Sequence, residues 1–316
     1  MKKCILLFIV LTLFSTTSFT QNKTDTIRTG IYLRSVYDIN SSAFSYDVDF
    51  WMWFVYYKDS LKPLTNVEIA NAKKYEYFEQ SVEKKDGKIW ASQNCKATIN
   101  QNWNLVHYPF DHQKVEFVLE ESQNDTRKII LIADKNKFEY NDEINIKGWK
   151  IDSSTITKGI SHYKSDFGDP TLKGESYYSK VYYTIFLSRD SWGLFFKLFS
   201  GCYVAFLVSF LVFFIKPIYV DPRFGLSIGG LFAAVGNNYV ADSNMPESIS
   251  FTLVDKIHDL TFFYILATIF LSLVSLKIYD SNNLKKQIVF DKYSALVVFT
   301  TYLGINIFLI LLALNG

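Results

Sequence analysis

Two patterns of hydrophobic and polar positions divide the 316-residue chain near residue 192. Between residues 21 and 191, short runs of aromatic and β-branched side chains alternate with turn residues, a pattern typical of strands. The clearest runs are Ile31–Tyr37, Val48–Tyr57, Val115–Leu119, Lys128–Ile132 and Tyr177–Ser188. Turn residues separate them at Asn40–Ser42, Lys85–Gly87 and Gly168–Pro170. We therefore expect a β-sandwich of about eight to ten strands, with one weak helical period near residues 66–80.

From residue 192 onward, apolar side chains dominate four stretches of the chain. The stretches cover residues 193–215, 222–241, 254–276 and 295–313. A helix crosses a bilayer with roughly 20 apolar residues, so each stretch is a candidate membrane span. The second stretch is less apolar and rich in glycine, and a cytosolic loop or a re-entrant segment is the alternative for it.

The charges between the stretches favour four crossings. Lys216 and Arg223 separate the first two stretches, four lysines separate the last two, and the intervening connection Asp242–Glu247 is acidic. Positive residues collect on the cytoplasmic side of a membrane. The pattern predicts that residues 192–316 form an all-α domain of four membrane helices in a multi-pass protein of the cell membrane. The β domain, residues 21–191, and the C-terminus then lie on the periplasmic or extracellular side.

The first twenty residues have the pattern of a secretory signal peptide. Lys2 and Lys3 supply a positive start, and the apolar run Cys4–Leu13 is short for a membrane span. Ser18 and Thr20 are small residues suited to cleavage, which would leave a mature chain that begins at Gln21. An uncleaved membrane anchor is the alternative, and either reading exports the β domain.

Composition excludes several classes of protein. The 28 Phe and 21 Tyr residues supply too much apolar surface for a disordered chain. A net charge of +2 without a basic run argues against nucleic acid as a partner. The three cysteines are Cys4, Cys95 and Cys202, and their placement in a signal peptide, a β domain and a membrane helix excludes a disulfide scaffold.

Catalytic and cofactor motifs are absent from the sequence, so we expect neither an enzyme nor a bound cofactor. The sequence contains no GxSxG, HExxH, Walker or GxGxxG pattern. Asp255, His258 and Asp259 cluster at the start of the third apolar stretch. A metal site is one interpretation of them, but we favour the polar interface end of a membrane helix, and we expect no metal.

The second apolar stretch carries the most functional information. Asp221 and Pro222 suit a helix start, with Asp221 as the N-cap. From there, one helical stripe has mostly small and polar side chains, and the other side carries Phe224, Ile228, Leu231 and Val235. The stripe contains Asp221, Gly225, Gly229, Phe232, Gly236, Tyr239 and Ser243. Such a face can line a pore when it is repeated around an axis, but Gly225 and Gly229 also form a GxxxG pair that would serve close helix packing equally well.

The run Tyr108–Gln113, with the sequence YPFDHQ, resembles the characteristic loop of pentameric ligand-gated ion channels, the Cys-loop receptor superfamily. In animal members two cysteines bracket this loop, and here Gln101 and Val115 stand in their places, as in bacterial members. The resemblance extends over residues 30–313. It includes Asp47–Phe54 and Lys58–Leu61 in the second strand, Arg189 before the first span, Asn244–Pro246 after the second, and Asp255 at the start of the third.

The resemblance implies a homopentamer whose second spans surround a central pore, and it assigns the stripe on that span to the pore lining. Phe232 is then the expected gate at mid-membrane, because an apolar ring closes a pore by dewetting, and Tyr239 is a second, outer constriction. Asp221 at the cytosolic mouth favours cations. Anion selectivity is the alternative if Arg223, two residues on, turns toward the lumen.

The resemblance also implies a coupling interface between the domains and an agonist site between subunits. The expected coupling residues are Asp38, Pro109, Phe110, Asp111, Arg189, Pro246 and Asp255. Aromatic side chains are the usual walls of the agonist site, because an aromatic face attracts cations. The candidates by position are Phe54, Phe138, Tyr140, Tyr177 and Tyr178. The expected partners are membrane lipid and a small ligand or ion of undetermined identity. There are two alternative functions: a non-conducting receptor, and an exported β-domain enzyme with a helical anchor.

Overall fold

The computed structural model describes residues 24–172, 174–246 and 250–315, without the side chain of Asn244. The predicted signal peptide, residues 1–20, lies outside the described residues. A sheet-rich region is followed by helices, as the division near residue 192 predicts.

Ten strands form in the described part of the β region, joined in two places by single helical turns at Asp59–Leu61 and Pro63–Asn66. The strands are β1 (Asp25–Asn40), β2 (Ser45–Tyr56), β3 (Val67–Ile69), β4 (Ala72–Lys85), β5 (Lys88–Asn100), β6 (His112–Glu121), β7 (Ile129–Ala133), β8 (Glu139–Tyr140), β9 (Trp149–Tyr163) and β10 (Ser176–Arg189). Each of the five predicted runs corresponds to a strand. The weak helical period near residues 66–80 is wrong as a helix, because β3 and β4 occupy most of it and pair with β6 and β5.

The strands form two sheets that pack face to face. One sheet has the order β4-β5-β2-β1-β7 with β8 beside β1, and the other has the order β3-β6-β10-β9. Phe50 of the first sheet stacks on Phe117 of the second with ring centroids 4.6 Å apart, and Phe117 stacks on Tyr183 at 5.4 Å. These buried rings lie in one hydrophobic core shared by both sheets, so the region is a β-sandwich.

Two of the predicted ligand-contacting aromatics belong to this core. Alternation along β2 places Phe50, Met52 and Phe54 on the same inward face. Phe54 is fully buried and Phe138 is 5% exposed, packed against Phe117 and Tyr183. The prediction that Phe54 and Phe138 line an agonist site is therefore wrong, because their side chains are enclosed between the sheets.

Four long helices follow the sandwich. They are α1 (Trp192–Phe210), which continues as a 3₁₀ turn over Leu211–Phe214, α2 (Val220–Asn244), α3 (Leu253–Asp280) and α4 (Leu284–Leu314). Of the described helices, three are long and apolar enough to cross a membrane: α1 with its 3₁₀ turn, α3 and α4. The helix α2 has 25 residues, about 37 Å, but is less apolar, so its crossing stays a prediction.

Close packing between α1 and α2 depends on glycines. A Cβ at Gly230 would lie 2.8 Å from the carbonyl oxygen of Ala205, and a Cβ at Gly201 would lie 2.0 Å from Oδ1 of Asn237. In contrast, a Cβ at Gly225, Gly229 or Gly236 would meet no atom within 4 Å. The GxxxG pair Gly225 and Gly229 therefore makes no helix contact within the described chain, and Gly230 makes it instead.

Two adjacent glycines test this packing. We expect Gly230→Ala to lower the stability of the folded protein by about 1–3 kcal/mol, because the added methyl group separates α1 from α2. Gly229→Ala is the matched control and should be neutral or stabilising by up to about 1 kcal/mol, because alanine favours a helix and the methyl group meets open space. Thermal unfolding of the purified protein in detergent measures both, and equal shifts in the two variants would contradict the packing.

Candidate functional site

The loop that carries the YPFDHQ run is inserted between the sandwich and the helices. We call residues 101–111, which join β5 to β6, the motif loop. The ring of Phe110 lies 5.2 Å from that of Trp192 and 5.5 Å from that of Phe195, both in α1. The backbone N–H of Leu253, at the start of α3, donates to the carbonyl of Val106 at 3.0 Å. The motif loop therefore contacts the first turns of two helices at once.

Hydrogen bonds close the base of the motif loop. Nε2 of Gln101 donates to the carbonyl of Lys114 at 3.0 Å, across the ends of the loop. Nε2 of Gln113 donates to the carbonyl of Asn104 at 2.7 Å, and Oε1 of Gln113 accepts from the backbone N–H of Asn104 at 3.2 Å. Side-chain amides thus hold the two ends of the motif loop together.

A bidentate ion pair joins the end of the last strand to the motif loop. Nε of Arg189 donates to Oδ1 of Asp111 at 2.6 Å, and Nη2 donates to Oδ2 at 3.0 Å. The side chain of Asp111 is 1% exposed and that of Arg189 is 14% exposed. Gln113 also donates to Asp111 at 2.7 Å, so the buried carboxylate is well supplied with donors. The pair has two charge-assisted hydrogen bonds in a favourable geometry. Removing one partner costs much folding free energy, because the other would remain as a buried charge without a counter-charge.

Aromatic rings enclose the guanidinium of Arg189. Its central carbon lies 4.0 Å from the ring centre of Trp149 and 4.9 Å from that of Tyr108. Both contacts are within the range of a cation–π interaction. Sequence reasoning did not single out Tyr108 or Trp149 for this role, since each lies many residues from Arg189 in the chain. Only the pairing of β9 with β10 brings Trp149 opposite Arg189.

The remaining predicted coupling residues lie around the same junction. Pro109 is buried in the motif loop. Asp38, Arg189 and Pro246 line one polar cavity of about 960 Å³ between the sandwich and the end of α2. Asp255 has a different position: its carboxylate accepts from the N–H and the hydroxyl of Thr252 at 2.7 Å each. It therefore takes part in the cap of α3, whose first residue Leu253 contacts the motif loop, and among the described residues it has no hydrogen bond or ion pair with the sandwich.

The helix α2 presents the predicted stripe on the face opposite its packed side. All seven stripe residues are exposed, and the side chains of Phe232 and Tyr239 are 71% and 77% exposed. The buried face consists of Arg223, Ser227, Gly230, Ala234 and Ala241. The larger apolar residues expected opposite the stripe lie on a flank instead, where Ile228 and Val235 are about half exposed. That expectation is wrong, because small residues are needed where α2 packs on α1.

The first turn of α2 differs from its prediction. The helix begins at Val220, and the N–H of Arg223 donates to the carbonyl of Tyr219 at 3.2 Å, so Asp221 is not the N-cap. The carboxylate of Asp221 is exposed and has no hydrogen-bond or ion-pair partner among the described residues. Asp221 is therefore available on the stripe rather than occupied by capping.

Arg223 is fully buried and turned away from the stripe. Its Nη2 donates to both carboxylate oxygens of Asp291 in α4, at 3.0 and 3.1 Å. Nε2 of Gln287 donates to Asp291 at 2.5 Å and to the hydroxyl of Ser275 in α3 at 3.3 Å. These four residues, which we call the basal cluster, join α2, α3 and α4 at one end of the bundle. Sequence reasoning missed them, because Arg223 and Asp291 are far apart in the chain.

The exposed aromatic candidates lie near the tip of the β9–β10 hairpin. Tyr177 is 42% exposed, stacks on His162 at 4.6 Å and donates its hydroxyl to Glu175 at 2.9 Å. It lines a cavity of about 540 Å³ together with Asp125 and Arg127. Tyr177 therefore stays a candidate ligand contact.

The other two aromatic candidates differ in their surroundings. Tyr178 packs edge-on against Tyr163 and Phe167, with ring centroids 5.9 and 6.2 Å away. Tyr140, in β8, is half-buried and packs against the sandwich core. Neither residue lines the cavity of Tyr177.

Comparison with known proteins supports an ion channel. No family model matches the chain. The chain is 22% identical to a proton-gated ion channel from Gloeobacter violaceus over 267 residues, which are 77% of this chain and 71% of that protein. This similarity supports the ligand-gated channel family rather than an enzyme, and it agrees with a membrane protein that has apolar helices.

The buried ion pair yields a stability prediction. We expect Asp111→Asn to lower the free energy of unfolding by about 3–5 kcal/mol, because Arg189 loses its counter-charge in a largely buried site. Asp59→Asn is the matched control, since Asp59 pairs with Lys84 at an exposed position, and it should change stability by less than about 1 kcal/mol. Thermal unfolding in detergent compares the two, and similar midpoints would show that the pair does not hold the domains.

Proposed function

We propose that the protein is a subunit of a homopentameric, cation-conducting ligand-gated channel of the cell membrane, with the sandwich on the periplasmic or extracellular side. The observation that carries the proposal is the exposed stripe on α2. All seven of its residues are exposed in the described chain, and it combines glycines with a single mid-helix Phe. Five such faces around an axis would enclose a water-filled path.

A pore-lining role explains why α2 is less apolar than the other long helices. A helix that contacts lipid all round must be apolar, whereas one that faces a lumen keeps a polar or thin face. Gly225, Gly229 and Gly236 leave open space beside the backbone, so the lumen would be wide at those levels. Phe232 then projects farther than its stripe neighbours and forms the narrow ring.

Cation preference is supported by the separation of the two charges at the start of α2. The exposed carboxylate of Asp221 lies on the stripe, and five copies would attract cations at the mouth. Arg223 is neutralised by Asp291 in the basal cluster. The anion-selective alternative requires Arg223 in the lumen, so the pair with Asp291 supports the cation-selective form of the proposal.

Signal transmission would pass through the motif loop. A change in the sandwich moves β10, Arg189 carries the movement to Asp111, and Phe110 and Val106 carry it to α1 and α3. The cavity beside Tyr177 is the candidate agonist site. Protons are the first agonist to apply, because the relative is proton-gated and because burial, followed by the neighbouring Glu120 carboxylate, raises the pKa of Glu68 above its ordinary value.

One experiment tests the proposal as a whole. The full chain is purified in mild detergent, its native mass is measured, and the protein is recorded in planar bilayers while the pH on the sandwich side is lowered. A mass of five subunits and unitary currents support the proposal. A monodisperse monomer or dimer refutes the pentamer, and a pentamer that is silent to protons and small amines supports the non-conducting receptor.

The gate has its own test in that recording. We expect Phe232→Ser to raise resting current at least about tenfold, because a polar ring no longer excludes water from the narrowest level. Phe263→Ser is the matched control: Phe263, in α3, is 67% exposed but lies off the stripe. An unchanged resting current in a Phe232→Ser channel that conducts would rule out Phe232 as the gate.

The charge at the mouth predicts ion selectivity. Under a salt gradient, the parent current should reverse near the cation equilibrium potential, and Asp221→Asn should move the reversal potential toward zero, because five carboxylates are lost. Asp280→Asn, an exposed acid at the end of α3, is the control and should leave the reversal potential unchanged. If cation selectivity persists in Asp221→Asn, then another ring of residues causes it.

A further inference from the structure

A buried histidine joins three helices near the sandwich end of the bundle. His258, in α3, is 1% exposed, and its ring lies 5.8 Å from that of Phe199 in α1. Its Nδ1 lies 2.9 Å from the carbonyl oxygen of Val254, and its Nε2 lies 2.9 Å from Nδ2 of Asn237 in α2. Nδ2 of Asn237 also donates to the carbonyl of Leu198 in α1 at 2.8 Å. We call His258, Asn237 and the carbonyl of Leu198 the histidine bridge.

The carbonyl of Leu198 determines which end of the Asn237 amide faces the histidine. The oxygen and nitrogen of an amide are distinguished by their hydrogen bonds, and only the nitrogen can donate to a carbonyl. Nδ2 therefore faces both Leu198 and His258, so Nε2 of His258 accepts. Because a neutral imidazole has one donor and one acceptor, Nδ1 then carries the proton and donates to Val254. The three hydrogen bonds are satisfied together only when His258 is neutral.

Gly201 makes room for the histidine bridge. A Cβ at this position of α1 would overlap Oδ1 of Asn237 and would lie 2.9 Å from its Cγ. The amide is thus held against the backbone of α1 on one side and against His258 on the other. Because the amide is confined on both sides, a change at His258 acts on α2.

The histidine bridge lies beside the stripe on α2. Asn237 follows Gly236 of the stripe, and it lies five residues after Phe232, about 7.5 Å along the helix axis. The other end of α2 is held separately, by the pair of Arg223 with Asp291. The histidine bridge therefore fixes the half of the helix that is nearer the sandwich.

We propose that Asn237 and His258 are positioning residues for α2: neutral His258 holds this half of the helix in the observed position, and protonation of His258 releases it. A protonated imidazole has an N–H group on both nitrogens, so Nε2 would meet the N–H of Asn237 as donor against donor. Turning the amide over would place its oxygen against the carbonyl oxygen of Leu198. The inference rests on the proposed function, in which α2 lines the pore.

The ionisable side chains around His258 come mainly from its own helix and from α2. They are Asp242 in α2 and Asp255 and Asp259 in α3. The side chain that α1 presents to the ring is Phe199, and α4 presents Tyr302, whose hydroxyl lies 2.8 Å from Oγ1 of Thr261. Histidine is the side chain whose charge ordinarily changes between neutral and mildly acid pH. A fall in pH therefore acts on the histidine bridge through His258.

Thermal unfolding of the full chain in detergent tests the bridge without reference to conduction. We expect Asn237→Ala to lower the unfolding midpoint at pH 8 and to lower it at most about half as much at pH 5, where the parent has already lost the contact. Asn238→Ala is the matched control, because Asn238 donates to Asp242 within α2, and its effect should be the same at both pH values. Equal effects of Asn237→Ala at the two pH values would overturn the proposal. Asn237→Ser replaces Asn237→Ala if the alanine variant does not elute with the parent.

Nuclear magnetic resonance measures the tautomer itself. The protein is labelled with ¹⁵N-histidine, and the resonances that disappear in His258→Gln are assigned to His258. At pH 8 they should be those of a neutral imidazole with its proton on Nδ1. A proton on Nε2 would contradict the bridge.

Bilayer recordings separate a positioning role from a purely structural one. His258→Gln keeps an acceptor oxygen for Asn237 but takes up no proton, so we expect it to move half-maximal current by at least about one pH unit to more acidic values or to abolish the acid response. Asn237→Ala should raise resting current at pH 8 about fivefold, because one net hydrogen bond changes an equilibrium by a factor of about two to ten. His112→Gln, at an exposed histidine of β6, is the control and should respond to acid as the parent does. A parent without an acid response, or a His258→Gln variant with the parent's response, would refute release by protonation.

The inference and the proposed function fail separately. A protein that passes no current, but in which the Asn237 contact is lost in acid and Nδ1 carries the proton at pH 8, supports the histidine bridge while the channel proposal fails. A conducting protein in which the effect of Asn237→Ala on stability is independent of pH supports the channel and overturns the bridge.

Discussion

The bidentate pair between Arg189 and Asp111 fixes how the sandwich meets the helices. The two regions fold by different rules, since one buries alternate residues between sheets and the other buries single faces of long helices. Their junction must satisfy a charge at the end of β10 and a carboxylate in the motif loop, both largely out of water. Because neither group is stable there without the other, the position of the loop, and with it the contacts of Phe110 and Val106, follows from this pair.

The two opposite sides of α2 have different roles in the helical domain. Small side chains bring its inner face against α1, and the charge of the buried Arg223 is paired with Asp291 in α4 through Nη2. These contacts occupy one side of the helix. The opposite side does not pack against the other helices of the described chain. A face that does not pack against another helix of the chain is free to vary in composition, which is why glycines, a phenylalanine and a tyrosine can share it.

Sequence reasoning succeeded where local pattern decides the structure. Alternation located the main strands, hydropathy located three of the long helices, and the helical period identified the stripe that is exposed on α2. It failed where the outcome depends on partners distant in the chain. Both faces of β2 carry large side chains, so alternation alone could not show that Phe54 points inward. The ion pair of Arg223 and the position of Asp221 in the first turn likewise depend on how α4 and the preceding turn are placed.

The closure of the motif loop by Gln101 has a consequence for the protein's chemistry in different redox environments. A disulfide at this point would make the junction depend on an oxidant during folding and leave it open to reduction afterwards. Amide hydrogen bonds form and reform without electron transfer. The thiol of Cys95, in the sandwich core, is buried, which raises its pKa to about 12 and keeps it in the unreactive protonated form. The link between the domains is therefore insensitive to oxidants and thiols alike.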